Sequence, residues 1–128
     1  MKPTILVLLA LSIVVGCSDL GDQLPGSFVS PIAANRIVQV DVTGRSLSFL
    51  VNCTMPEPCW VFQRIDQTLS GTVASIRVYG RRTTTEACAQ VIWWLDARCN
   101  VSVPSAGTYT FTFWRGGTST VDTTLSVP

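Results

Sequence analysis

The chain has 128 residues, of which 47% are apolar and only 13% are charged. That balance excludes an intrinsically disordered chain, and the length suits one domain with a single hydrophobic core. Nine basic and eight acidic residues leave a formal net charge of +1, with no clustered basic surface of the kind that nucleic-acid binding requires. We therefore expect one compact module that does not bind nucleic acid.

Residues 1–16 have the three-part layout of a secretory signal. Lys2 supplies the positive charge, an apolar stretch follows it, and Gly16 is the small residue at the end. A membrane-spanning helix would need about 20 apolar residues, but the polar residues Ser18 and Asp19 follow too soon. The pattern predicts a cleaved signal peptide and not a permanent membrane span.

One segment resembles a bacterial lipobox, where the signal is cut before a cysteine: Val14, Val15, Gly16 and Cys17. The resemblance implies that the Cys17 thiol carries diacylglycerol through a thioether and that the mature protein begins at this residue. By the same resemblance, Ser18 after the cysteine looks like a sorting signal for the outer membrane of a Gram-negative-type bacterium. The alternative is an ordinary signal peptide followed by a chance cysteine.

If lipid occupies Cys17, an even set of four cysteines remains for an oxidising compartment: Cys53, Cys59, Cys88 and Cys99. Three pairings are possible, and we favour the two sequence-local ones, Cys53 with Cys59 and Cys88 with Cys99. Each would contribute about 2 to 3 kcal/mol by restricting the unfolded chain. A four-thiolate zinc site is the rival interpretation, but its cysteine pairs are usually only two to four residues apart. We therefore predict disulfides and no metal.

Residues 17–35 contain glycines and prolines without periodicity and are interpreted as a lipidated tether, although residues 27–32 could instead form a first edge strand. From Arg36 onward, short strand patterns recur about every ten residues, and no segment has sustained helical spacing. The predicted fold of residues 36–128 is all-β, a single antiparallel β-sandwich of about seven or eight strands.

Period-two alternation predicts which side chains of four strands face the core. The inward sets are Leu47, Phe49, Val51 and Cys53; Ala74, Ile76 and Val78; Ala89, Val91, Trp93 and Leu95; and Tyr109, Phe111 and Phe113. The third set belongs to a predicted strand over Cys88 to Leu95. A separate short strand is predicted at Asn100 to Val103, and a hairpin turn at Gly116 and Gly117.

The stretch from Pro104 to Phe111 resembles the corner that leads into the penultimate strand of immunoglobulin-like and fibronectin-like domains. Tyr109 matches the tyrosine whose hydroxyl bonds to nearby backbone there, and Trp60 is a counterpart of the buried tryptophan on the third strand. Phe111 stands where an antibody domain has its second intersheet cysteine. The resemblance therefore implies a generic immunoglobulin-like sandwich and not an antibody-type domain.

The chain contains no histidine, which removes the commonest general base and the commonest metal ligand. Its acidic residues are scattered through turns and strand ends, and no motif joins them. A hydrolase based on paired carboxylates is therefore only a remote third hypothesis. We predict that the protein is not an enzyme and uses neither a cofactor nor a metal.

A possible binding surface consists of the aromatic residues predicted to point outward, Tyr79, Trp94 and Trp114, together with the arginines near one turn, Arg77, Arg81 and Arg82. Such rings can stack on sugars or anchor a protein partner, although they could also pack beneath loops. The leading hypothesis is a lipid-anchored, non-catalytic binding or structural module of the cell envelope, with membrane lipid at Cys17 and an unidentified protein or glycan partner. The alternative is an extracytoplasmic protease inhibitor that uses the 53–59 loop as a wedge.

The lipobox makes a direct prediction about the mature protein. Purified from membranes, it lacks residues 1–16 and carries diacylglycerol and fatty acyl mass on Cys17, which intact-mass spectrometry measures. A protein that retains Met1, has no acyl mass and is found in the cytosol would contradict this prediction.

Overall fold

The structure is a computed structural model that describes residues 28–128; the predicted signal peptide, Cys17 and the tether as far as residue 27 lie outside this range. The described residues form seven strands: β1 (Val29–Thr43), β2 (Ser46–Met55), β3 (Trp60–Ser70), β4 (Val73–Arg82), β5 (Trp93–Ser102), β6 (Gly107–Gly116) and β7 (Ser119–Val127). No helix occurs among them, so none in this part of the chain could cross a membrane. The prediction of an all-β fold with about seven strands is confirmed.

Two layers of strands face each other across the core. One layer contains β1, β2 and β5, and the other contains β3, β4, β6 and β7. β1 belongs to both layers, because residues 29–32 pair with β4 whereas residues 33–43 pair with β2. All seven strands are therefore linked by hydrogen bonds into one sheet, which folds into two packed layers.

One pair of strands departs from the predicted antiparallel arrangement. β4 pairs with β6 in parallel, from Val73 opposite Thr110 to Ile76 opposite Phe113. This is possible because β5 carries the chain through the other layer before β6 returns in the direction of β4. In an immunoglobulin constant domain the fourth strand joins the layer of the first two and the third strand lies beside the sixth, whereas here β4 lies between β3 and β6.

Aromatic packing between the layers forms the centre of the core. The ring of Phe49 on β2 lies 4.8 Å from that of Phe111 and 5.3 Å from that of Phe113, both on β6. All three side chains are completely buried. Aromatic pairs at this separation gain about 0.5–1.5 kcal/mol beyond the burial of their area. Three of the four predicted inward sets are buried in this core, and the set that includes Trp93 is the exception.

The corner before β6 is held by a tyrosine. The Tyr109 hydroxyl donates a hydrogen bond to the Ser105 carbonyl at 2.9 Å, and the ring is buried in the core. Trp60, at the start of β3, is also buried. The Tyr109 contacts connect the loop after β5 to the core and position the first residues of β6.

The sandwich begins earlier than the sequence pattern indicates. β1 starts at Val29, so residues 29–35 belong to the sandwich and not to the tether. Two β-bulges, in which Asn35 and Val38 have no direct partner on β2, shift the alternation of β1 and obscure its period in the sequence. Of the predicted tether, only residues 17–28 precede the first strand.

The predicted strand over Cys88 to Leu95 is wrong for most of its length. β5 begins at Trp93 and continues without a break to Ser102, so the separate strand predicted at 100–103 is its end. Val91 and Trp93, both predicted to face the core, are more than half exposed. The cause is not local, because the segment before β5 is held in a loop by contacts with distant residues.

The disulfide connectivity also differs from the two local pairings that the spacing favours. Cys59 is bonded to Cys88, with their Cα atoms 6.1 Å apart, whereas Cys53 and Cys99 are free and buried. Cys53 lies opposite Leu95 and Cys99 lies opposite Phe49, so these two thiols are four residues apart along paired strands. That offset is about 13 Å, well beyond the roughly 7 Å that a disulfide can bridge.

Burial makes the two free thiols unreactive. Desolvation raises the pKa of Cys53 to about 12, with smaller contributions from Cys99 and Asp96, and desolvation raises the pKa of Cys99 to about 11. Both thiols are therefore neutral at physiological pH. Because an unfolded thiol titrates near pH 8.5, their contribution to stability is complete below that pH and is lost as the pH rises towards 11 and 12.

These states predict the result of thiol counting on the mature protein at pH 8. No cysteine among residues 28–128 reacts in the native state, Cys53 and Cys99 react in denaturant, and Cys59 and Cys88 react only after reduction. Alkylation followed by peptide mass spectrometry measures this order. A peptide that joins Cys53 to Cys59 would contradict the structure.

Candidate functional site

A cleft of about 340 Å³ lies on the outer face of the four-stranded layer. Its position follows from the core, because side chains that alternate with the buried ones on β4 and β6 must point outward. It is lined by Asp66, Gln67, Thr68, Ser75, Ile76, Arg77, Tyr79, Thr112, Trp114 and Thr120. Four strands thus contribute to one concave surface, in which polar side chains alternate with aromatic rings.

Cross-strand pairing brings the polar side chains of the cleft together. Thr68 is opposite Ser75, which is opposite Thr112 on the next strand, and Trp114 is opposite Thr120. The Thr112 hydroxyl donates to the Ala74 carbonyl at 3.3 Å and lies 3.4 Å from the Ser75 hydroxyl. The floor of the cleft is therefore a row of hydroxyl groups held at fixed spacing by the sheet.

Two aromatic rings of the cleft are each paired with a guanidinium group. The Arg64 Cζ atom lies 4.1 Å from the centre of the Tyr79 ring, and the Arg77 Cζ atom lies 5.2 Å from the centre of the Trp114 ring. Trp114 also donates from Nε1 to the Gly117 carbonyl at 3.1 Å. Cation–π pairs at exposed sites contribute about 0.5–1 kcal/mol, which here helps to fix both rings in place.

Among residues 28–128, Arg77 is the cation of the cleft that has no ion-pair partner. Asp66, its partner across the strands, is ion-paired instead with Arg64, whose Nε lies 3.1 Å from Asp66 Oδ1. Within residues 28–128, the Arg77 guanidinium has neither a hydrogen bond nor a salt bridge, and its contact is with the Trp114 ring. Its N–H donors are therefore available to a ligand in the cleft.

The structure separates the predicted binding residues into three places. Tyr79, Trp114 and Arg77 meet in the cleft, but Trp94 lies on the opposite layer. Arg81 faces the same side as Arg77 and donates to Gln63 at 3.0 Å. Arg82 points to the other side of β4, because neighbouring residues of a strand alternate, so the three arginines do not form one cluster.

Arg82 instead braces the loop between β4 and β5. Its side chain is ion-paired with Glu57 and donates to the carbonyls of Thr84 and Glu86. Close by, both the backbone N–H and the hydroxyl of Thr83 donate to the Cys59 carbonyl at 2.9 Å. Together with the Cys59–Cys88 disulfide, these bonds hold residues 83–92 against the start of β3.

Trp94 lines a second, more open depression with Asn35, Arg36, Asn52 and Thr54. A side-chain hydrogen-bond chain crosses three strands beside it. Asn35 donates to Asn52 at 3.1 Å and accepts from the Thr54 hydroxyl at 2.8 Å, and Asn52 donates to Asp96 at 2.8 Å. Because these polar groups satisfy one another, they leave less hydrogen-bonding capacity for a ligand than the cleft with Arg77.

The sequence prediction missed Arg64, Asp66 and the hydroxyl groups of the cleft floor. The alternation in β4 and β6 could have identified Ser75 and Thr112, because each lies between two predicted inward residues. Arg64 and Asp66 had no such signal, since a bulge between Phe62 and Arg64 shifts the register of β3. Among residues 28–128, no group of three or more histidine, cysteine or acidic side chains is placed to hold a metal ion.

The family model described as the ORF11 beta-sandwich domain matches residues 49–127, more than half of the chain. The match covers every residue that lines the cleft, as well as the Cys59–Cys88 disulfide. No curated protein and no solved structure matches the chain.

Proposed function

Because the chain belongs to the ORF11 beta-sandwich domain family, we propose a function for the sandwich itself, that of a lipid-anchored, non-catalytic module that binds acidic glycans at the cell envelope. The observation that carries the proposal is the position of Arg77, whose guanidinium has no ion-pair partner within residues 28–128 and lies in the cleft between Tyr79 and Trp114. A guanidinium pairs with a carboxylate through two parallel hydrogen bonds, and this geometry selects planar anions.

The aromatic rings suit the other part of such a ligand. Pyranose rings have apolar C–H faces, and the amphipathic rings of tyrosine and tryptophan can pack against them. Tyr79 is two residues from Arg77 on the same face of β4, about 7 Å away along the strand, and Trp114 is on the adjacent β6. This spacing is suited to neighbouring sugar units on either side of one carboxylate.

The hydroxyl groups in the floor of the cleft also suit a glycan. Thr68, Ser75, Thr112 and Thr120 supply hydroxyl groups, each able to donate and to accept. Sugar hydroxyls need both kinds of partner. The cleft is open to solvent, as expected for a segment of a longer chain and not for a small molecule that must be enclosed.

The proposed location rests on the lipobox and agrees with the cysteine chemistry. Acylation of Cys17 would hold the domain at the cell envelope. Ser18, the next residue, favours the outer membrane of a Gram-negative-type bacterium. The Cys59–Cys88 disulfide is the kind of bond that persists outside the reducing cytosol. In that location, polysaccharides with uronic acids or other acidic sugars are accessible partners.

The protease-inhibitor alternative depended on a loop closed by a disulfide between Cys53 and Cys59, and the structure has no such disulfide. It used a wedge loop closed by Cys53 and Cys59, but Cys53 is buried in β2, and Cys59 is bonded to the loop before β5. Glu57, the charged residue of that loop, is ion-paired with Arg82 and turned away from solvent. No observation in residues 28–128 favours inhibition over glycan binding.

Substitutions in the cleft test the proposal. We expect Arg77→Met to weaken binding of oligogalacturonate about tenfold or more, because it removes charge-assisted hydrogen bonds worth about 1.5–3 kcal/mol. Trp114→Ala should weaken binding of acidic and neutral oligosaccharides alike, since it removes a packing surface. Isothermal titration calorimetry at two salt concentrations measures both effects, and the arginine effect should shrink at high salt.

Arg98→Met is the matched control, because Arg98 is an exposed arginine on the outer face of the opposite layer. It should leave binding unchanged. Equal losses in the Arg77 and Arg98 variants would reduce the interaction to nonspecific charge attraction. No binding of any acidic oligosaccharide by the native protein would refute the proposed function.

A further inference from the structure

Exposed apolar side chains are concentrated at one end of the sandwich, the end where β3 and β5 begin and β4 finishes. Of the eleven large apolar residues that are exposed in residues 28–128, seven are at this end; we call them the apolar collar: Phe28, Val61, Phe62, Val91, Ile92, Trp93 and Trp94. Four of them are consecutive, and each of these four is more than half exposed. A concentration of exposed apolar side chains at one end is typical of a surface that contacts a partner or a membrane.

The collar is presented by a braced loop. Val91 and Ile92 directly follow the segment that the Cys59–Cys88 disulfide and the Arg82 contacts hold in place. Gln90 adds a further contact, donating from its side chain to Glu57 at 3.3 Å. The polar groups of the loop thus bond inward to the protein, whereas its apolar side chains face solvent.

The course of the chain identifies the surface nearest to this end. The described residues begin at Phe28, whose carbonyl accepts a hydrogen bond from the Arg82 backbone N–H at 3.0 Å and whose ring packs edge-on against Trp60. Ten residues lie between Cys17 and Phe28, and the segment from one to the other spans at most about 40 Å when fully extended and about 20 Å as a flexible coil. A lipid on Cys17 would therefore hold the collar end, and not the opposite end with Val127, close to the membrane.

The charges at this end favour apolar contact over electrostatic attraction. Residues 55–62 and 81–93 contain two arginines, Arg81 and Arg82, and two acids, Glu57 and Glu86, so their formal charges cancel. Adsorption through charge would require a basic excess facing anionic headgroups. Tryptophan and aliphatic side chains, in contrast, partition into the interfacial region of a bilayer irrespective of headgroup charge.

We infer that the apolar collar docks into the interfacial region of the bilayer that holds the lipid anchor. The inference rests on the acylation of Cys17 included in the proposed function, and it adds an orientation for the domain. With the collar on the membrane, Tyr79 lies three residues, or about 10 Å, above Arg82 along β4. The cleft then opens sideways, close to the headgroups, where it can take a glycan that runs along the membrane surface.

Tryptophan fluorescence tests this docking, because two of the four tryptophans are in the collar. Mature protein purified from membranes is reconstituted in phosphatidylcholine vesicles with brominated acyl chains, which quench only tryptophans close to the hydrocarbon. We expect clear quenching that is insensitive to salt, that disappears in Trp93→Phe/Trp94→Phe and that persists in Trp114→Phe.

A second pair of variants leaves the reporting tryptophans intact. Val91→Ser/Ile92→Ser should lower the quenching about twofold or more, because it removes apolar side chains from the loop without altering a strand. Leu69→Ser/Val73→Ser is the matched control at the opposite end, with two apolar residues that are also exposed, and it should have no effect. Circular dichroism confirms the fold of each variant.

The outcomes separate the docking from the anchor. Acylated protein without quenching would overturn the docking and leave the anchor intact, and quenching without acyl mass would refute the anchor but retain the docking surface. Collar tryptophans that are shielded from brominated lipid but crosslink to a second copy or to another protein would also overturn the inference. An equal effect of the Leu69/Val73 control would do so as well, because the contact would then not be specific to the collar.

Discussion

The contact of Phe49 with Phe111 and Phe113 is the constraint on which the rest of the structure depends. It joins the two layers at their centre and fixes which residues of β2 and β6 face inward. Because strands alternate, the same contact places Thr112 and Trp114 on the outer face of β6, and the parallel pairing with β4 brings Arg77 beside them. The cleft is thus a consequence of core packing: a shift of one residue in either strand would bury its polar groups.

The fold was predictable from sequence where the periodicity is local. Ala74, Ile76 and Val78 alternate with polar residues, and the structure buries all three. The prediction failed where distant contacts override the pattern. Trp93 is exposed because the loop before it is held by Cys59 and Arg82, 34 and 11 residues earlier in the chain, and no local signal contains that information. The two bulges hid the start of β1 in the sequence pattern, because each inserts a residue that interrupts the two-residue alternation of a strand.

The candidate site was predictable only in part. Tyr79 and Trp114 followed from alternation, but the grouping of Arg77 with Arg81 and Arg82 was wrong. Arg82 faces the opposite side of β4 and is ion-paired, and Arg81 faces the same side as Arg77 but donates to the Gln63 amide. Within residues 28–128, the contact of the Arg77 guanidinium is with the Trp114 ring. Arg77 has no ion pair within residues 28–128 because Asp66, which is opposite it on β3, pairs with Arg64 instead. The spacing of these residues in the sequence does not predict that pair.

The two proposed binding surfaces lie in separate regions of the domain. The collar and the loop held by the disulfide lie at the end where the chain enters from the proposed lipidation site, whereas the cleft lies on the side of the four-stranded layer. The proposed activity of the cleft is binding of an acidic glycan through Arg77. Nuclear magnetic resonance of the arginine Nε–H groups during titration with oligogalacturonate reports on this contact. We expect a saturable shift of the Arg77 resonance with little change at Arg98; a shift of both to the same extent, or of neither, would refute the proposed binding.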